Sequence, residues 1–215
     1  MRKWMIVGAF ALAAGLAVGG RAAAEDGGTK FWFGTATKHT NIAFVSEAEI
    51  ETINGMCHEM SGSCALDFEA LSGSCALTIP VASLQTGIPT RDEHLRSDAW
   101  LDAEKHPDIT LTSDAITLKA KDAAKGLYTA TLKAKLTIHG VTKERELTAD
   151  VLKLPEAVAR KVGDGEWVRV TSKFDVKLGD HDVKIPNPET VGPKVSETWS
   201  ISFSAFATTT PPKKR

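Results

Sequence analysis

The sequence predicts an all-β protein: one antiparallel barrel of about eight strands with a short helical insertion near residues 91–106. Three observations carry this. From Thr37 onward, apolar residues recur with period two, the pattern of half-buried strands. Turn-forming residues punctuate those runs at short intervals. One segment alone departs from the alternation. Many short strands, each with one apolar face, close most simply into a barrel, with a two-sheet sandwich as the alternative that periodicity leaves open.

Taken in order, the N-terminus is an address rather than a fold element. Arg2 and Lys3 precede an apolar run from Trp4 to Gly20, and Ala22-Ala23-Ala24 follows Arg21. A basic start, an apolar middle and a small-residue cleavage site form a secretory signal peptide, and the Ala/Gly-rich run is short for a membrane span. Residues 1–24 are therefore read as a signal peptide, which makes the mature protein periplasmic or secreted. Residues 25–36 are a lead-in, 37–207 the barrel and 208–215 a flexible tail.

Within the barrel, Ile42 alternates into Phe44, Cys64 into Leu66 and Phe68, Cys75 into Leu77 and Ile79, and Ile109 into Leu111. Longer runs follow. Tyr128, Ala130, Leu132, Ala134, Leu136 and Ile138 share one face; so do Val168, Val170, Ser172, Phe174, Val176 and Leu178, and then Trp199, Ile201, Phe203 and Ala205. The exception is Thr90-Arg91-Asp92-Glu93, a capping box opening a short helix. Asp102 caps a second turn, Ala103–His106, which Pro107 ends.

Composition excludes several functions. The 215 residues carry 26 Lys+Arg against 27 Asp+Glu, a net charge of −1, without the basic excess of a nucleic-acid binder. Signal cleavage removes Arg2, Lys3 and Arg21 and no acidic residue, so the mature chain is mildly acidic and has no electrostatic pull toward anionic lipid. No nucleophile elbow, phosphate-binding loop, dinucleotide fingerprint or zinc-protease motif is present. His58-Glu59 begins like the latter, but Gly62 stands where the second histidine belongs. Histidines 39, 58, 94, 106, 139 and 181 are scattered without metal-ligand spacing, so neither a metal site nor a cofactor is expected. The reading is a non-enzymatic protein.

Three segments carry a family resemblance. Arg91-Asp92-Glu93-His94-Leu95-Arg96-Ser97-Asp98-Ala99-Trp100-Leu101-Asp102, continuing into Glu104-Lys105-His106-Pro107, resembles the signature of the YceI-like family. Leu136-Thr137-Ile138-His139-Gly140-Val141-Thr142-Lys143 resembles its hairpin corner, and His39–Phe44 its first strand. The departures are Trp100-Leu101 for a paired Phe, His106 for a Tyr before Pro, and an added loop at Pro186–Pro193. The resemblance implies an exported lipocalin-like barrel that binds a polyisoprenoid or another long-chain lipid, such as a polyprenyl phosphate or an isoprenoid quinone. The alternative is a packed barrel acting as an interaction or stress-protection protein. Oligomeric state stays open between monomer and homodimer.

A lipid-binding barrel needs a continuous apolar tunnel with few polar anchors. The candidates for its lining are Phe44, Leu66, Phe68, Trp100, Leu101, Leu111, Leu132, Leu136, Ile138, Phe174, Trp199 and Phe203. Arg91, His94 and Arg96, on the short helix, are candidates to meet a headgroup; alternatively Arg91 or Arg96 pairs with Asp92, Asp98 or Asp102 and latches the helix to the barrel rim. Taking His58–Ser63 as a hairpin loop sets Cys57 opposite Cys64, and an exported chain then predicts a Cys57–Cys64 disulfide with Cys75 free.

Overall fold

The computed structural model describes residues 28–34 and 39–212. The signal-peptide segment lies outside the described residues, as does the end of the C-terminal tail. Ten strands are present: β1 Thr29–Phe33, β2 Thr40–Glu47, β3 Thr52–Cys57, β4 Ser61–Asp67, β5 Ser72–Pro80, β6 Asp108–Asp122, β7 Leu127–Ile138, β8 Val141–Lys153, β9 Trp167–Lys177 and β10 Thr198–Thr208. Three short helices join them: α1 Pro89–Arg96, α2 Glu156–Val162 and α3 Pro188–Val191. Among the described residues no helix is long and apolar enough to cross a membrane.

The ten strands form a closed antiparallel barrel with eight strand positions. β4 to β10 follow one another around the wall. β10 then pairs with β2 through Trp199–Ala205 and, at Thr208, with Trp32 of β1. β1 and β2 thus lie end to end along one edge of β10, and β3 and β4 lie end to end beside them. Closure pairs most strand edges, which otherwise invite aggregation, and the outer edge of β3 is met by the isolated Met56–Gln85 bridge. The β7–β8 hairpin turns through His139-Gly140, with Ile138 opposite Val141. Both turn residues have left-handed φ, +50° and +73°, as the two-residue turn matching strand twist requires.

Alternation predicts β7 well: Ala130, Ala134, Leu136 and Ile138 are buried, whereas Lys133 and Lys135 are exposed. The barrel starts earlier than periodicity suggests. β1 occupies the stretch read as a lead-in, with Phe31 and Phe33 buried. Its end also reaches further: Thr208 is buried in β10, and the Thr208 and Thr210 hydroxyls both donate to the Asp164 carbonyl.

Two local expectations are corrected. Helix α1 begins at Pro89 after Ile88, with no side-chain cap; proline's fixed φ suits the first helical position, and Thr90 falls inside the helix. The Cys57–Cys64 disulfide fails on register. The chain from Cys57 to Ser61 does not reverse, because β3 and β4 run in line. Cys57 stands opposite Ile42, and Cys64 stands opposite Cys75. All three cysteines are buried and free. Cys57 Sγ instead lies 2.9 Å from Ser83 Oγ and donates to the Glu59 carbonyl at 3.1 Å.

Candidate functional site: the barrel chamber and its mouth

One end of the barrel is packed shut. Phe31 meets Phe68 edge-on at 6.3 Å, and Phe68 lies 4.9 Å from Tyr128. Leu66 is buried in the same layer. Leu66 and Phe68 therefore plug the far end rather than line a tunnel. They alternate in phase with the true lining residues, so sequence alone cannot separate plug from wall.

Above that plug lies a chamber of about 160 Å³. Nine of the twelve residues expected in a tunnel line it: Phe44, Leu101, Leu111, Leu132, Leu136, Ile138, Phe174, Trp199 and Phe203. Trp100 instead lines the mouth. The chamber also takes in Phe33, Ile42, Leu77, Val170, Val176 and Ile201. Most of these carried the same alternation, which would have found them. Leu111, Leu132, Phe174, Ile201 and Phe203 are only partly buried, as expected of side chains that face a void rather than packed neighbours.

The chamber is almost devoid of polarity. Ser172 contributes a hydroxyl, but it donates to the Thr148 carbonyl at 2.6 Å. Cys64 and Cys75 contribute thiols. Its hydrogen bond with Cys75 and its burial push the Cys64 thiol well above the ordinary value of 9.0, so it stays neutral. On the wall, β8 and β9 pair only between Ala149–Lys153 and Val168–Ser172. Near that seam the Arg145 guanidinium sits 6.0 Å from the Phe174 ring centroid.

Across Phe44 and Trp199 from the chamber lies a groove of about 440 Å³ between α1, the β2–β3 turn and the segment from Pro186 to Val195. Phe44 and Trp199 line both spaces. Arg91 and His94 line the groove; Arg96 does not. Arg91 bonds Glu51 Oε1 at 2.7 Å and donates from Nε to Thr86 Oγ1 at 3.0 Å. Asp92 Oδ1 accepts from the Thr86 amide, and Arg96 Nη2 donates to the Leu84 carbonyl at 3.0 Å. Arg91 and Arg96 do tie α1 to its surroundings, but through Glu51 and the Leu84 carbonyl rather than through the expected Asp92, Asp98 or Asp102. Away from the groove, the structure also brings two of the scattered histidines together: the rings of His106 and His139 lie 4.8 Å apart.

Fold and site together define a small closed barrel with an apolar chamber and a helix-covered mouth. The chain belongs to the YceI-like domain family, whose model matches residues 33–207. It is 26% identical over 187 residues to a UPF0312 protein of Vibrio parahaemolyticus, covering 86% of this chain and 90% of the relative. Solved structures share the fold. BcnA of Burkholderia cenocepacia superposes with a TM-score of 0.60 at 24% identity, over 79% of this chain and 96% of that one. A domain of Saccharophagus degradans, described as polyisoprenoid-binding, does so with a TM-score of 0.62 at 17% identity, over 84% and 98%.

Proposed function

We propose that this protein is an exported, non-enzymatic carrier that holds a long-chain isoprenoid, with the chain in the barrel chamber and its polar end in the mouth groove. The observation that carries this reading is the chamber itself, lined by hydrocarbon and separated by Phe44 and Trp199 from a groove bearing Arg91, His94 and Lys194. Each buried methylene gains about 0.8 kcal/mol, so an apolar chain needs no polar contact inside. A phosphate or quinone oxygen at the other end meets the cationic side chains of the groove. The resemblance to a polyisoprenoid-binding domain supports the same ligand class. The N-terminal signal-like segment supports export.

The packed-barrel interaction protein has one observation in its favour: about 160 Å³ is small for a long chain. The carrier reading therefore requires the Phe44–Trp199 pair to part when ligand enters. Native mass spectrometry of the exported protein, followed by organic extraction and lipid analysis, tests it. A stoichiometric isoprenoid or long-chain lipid is expected. Apo protein that also refuses added polyprenyl phosphate and quinone overturns the carrier reading.

A further inference from the structure

The turn that follows α1 doubles back at Asp102, whose φ is +46°. The amides of Lys105 and His106 donate to the Asp102 carbonyl at 3.1 and 2.7 Å, which fixes the loop as far as Pro107. His106 lies against Gly140, where a Cβ would stand 2.8 Å from its Nδ1. The β7–β8 turn supplies His139 from the other side. One ligand atom each from Asp102, His106 and His139 falls within 4.8 Å of the other two.

One feature marks this cluster as more than a surface coincidence: His139 Nδ1 is buried and lacks a hydrogen-bond partner among the described residues. A cation taken up at Nδ1 gives that nitrogen the partner it lacks.

We propose that Asp102, His106 and His139 form a binding site for a divalent transition metal ion, of which Zn²⁺ is the type. Two imidazoles and one carboxylate are a donor set that such ions take, leaving a fourth position open. Of the three ligands, His139 also lines a surface hollow with Asp98, Asp182 and Lys184, which gives an ion at that ring a path from solvent. Bonds of about 2.0–2.2 Å in a tetrahedron set ligand atoms about 3.3–3.5 Å apart, so metal binding draws the three side chains closer together. Asp102 at present holds Lys105 Nζ at 2.8 Å, but that lysine is 71% exposed and releases to water at little cost. The site lies outside the lipid chamber and stands whether or not the carrier reading does.

Zn²⁺ titration of the full exported protein, purified without a histidine tag and in competition with a chromogenic chelator, tests this. One ion per chain is expected. His106→Tyr, which retains a ring, and His139→Asn, which tolerates left-handed φ, are each expected to weaken binding at least 10-fold. Co²⁺ in place of Zn²⁺ is expected to give tetrahedral visible bands without a thiolate charge-transfer band. Absence of stoichiometric binding by the unmutated protein overturns the proposal, as does a thiolate band. So does unchanged affinity in His106→Tyr with its β circular dichroism intact, and that variant decides the matter if His139→Asn does not fold.

Discussion

Phe44 and Trp199 stack face to face, with ring centroids 5.0 Å apart and planes within 12°, at the point where the chamber meets the groove. The Trp199 indole donates to the Ser196 carbonyl at 3.0 Å, which anchors one face of the pair. Phe44 stands opposite Gly55, whose missing side chain leaves its ring room to lie flat. The stack thus has one fixed partner and one held only by contact.

Trp199→Ala removes the fixed partner and joins chamber to groove. Unfolding in urea is expected to show a loss of about 3–5 kcal/mol, the usual cost of deleting a buried aromatic. Stopped-flow uptake of an apolar fluorescent probe is expected to accelerate in the same variant.

Gly55→Ala acts through Phe44. The added Cβ would stand 2.0 Å from Phe44 Cζ, so the ring must move, at a cost of about 1–3 kcal/mol. Combining it with Phe44→Leu is expected to cost less than the two changes summed, and a double-mutant cycle measures the difference.

Leu132 faces the void and has space to grow. Leu132→Phe is expected to change stability by less than about 1.5 kcal/mol, because it fills a space instead of crowding a packed layer. Lipid recovered per chain is expected to fall. Thermal unfolding and extraction from the same preparation read the two effects separately.

Cys64 and Cys75 answer to redox and pH. Refolding with oxidised glutathione is expected to link Cys64 to Cys75, which stand opposite each other, and to leave Cys57 unpaired. Non-reducing peptide mapping identifies the bond. In the reduced protein the folded Cys64 thiol ionises above its unfolded value. The unfolded chain therefore loses its proton first, and stability is expected to fall as pH rises past 9.0. Cys64→Ala is expected to flatten that alkaline decline in urea unfolding.

The long strands β7, β9 and β10 were legible because their alternation continues over many residues and has only one phase that buries it. β1 was not, since Phe31-Trp32-Phe33 presents aromatics on both faces and hides the period. The cysteine pairing depends on whether the chain reverses between Cys57 and Ser61, and no residue there signals that it runs straight on. Most of the chamber wall could be read from the same alternation, whereas the plug at Leu66 and Phe68 depends on height along the barrel axis. His106 and His139 are far apart in sequence, and only the β7–β8 turn packing against the loop before Pro107 makes them neighbours.

Ser172 commits its hydroxyl proton to the carbonyl of Thr148, which leaves an acceptor oxygen and two weakly bonding thiols as the chamber's side-chain polarity. An interior so poor in polar groups discriminates little between one functional group and another. What it can sense is contour: how long a hydrocarbon is, where it branches and how tightly it bends. A carrier built this way would act as a gauge, ranking guests by how well they fill its interior, and would leave any reading of their chemistry to the rim.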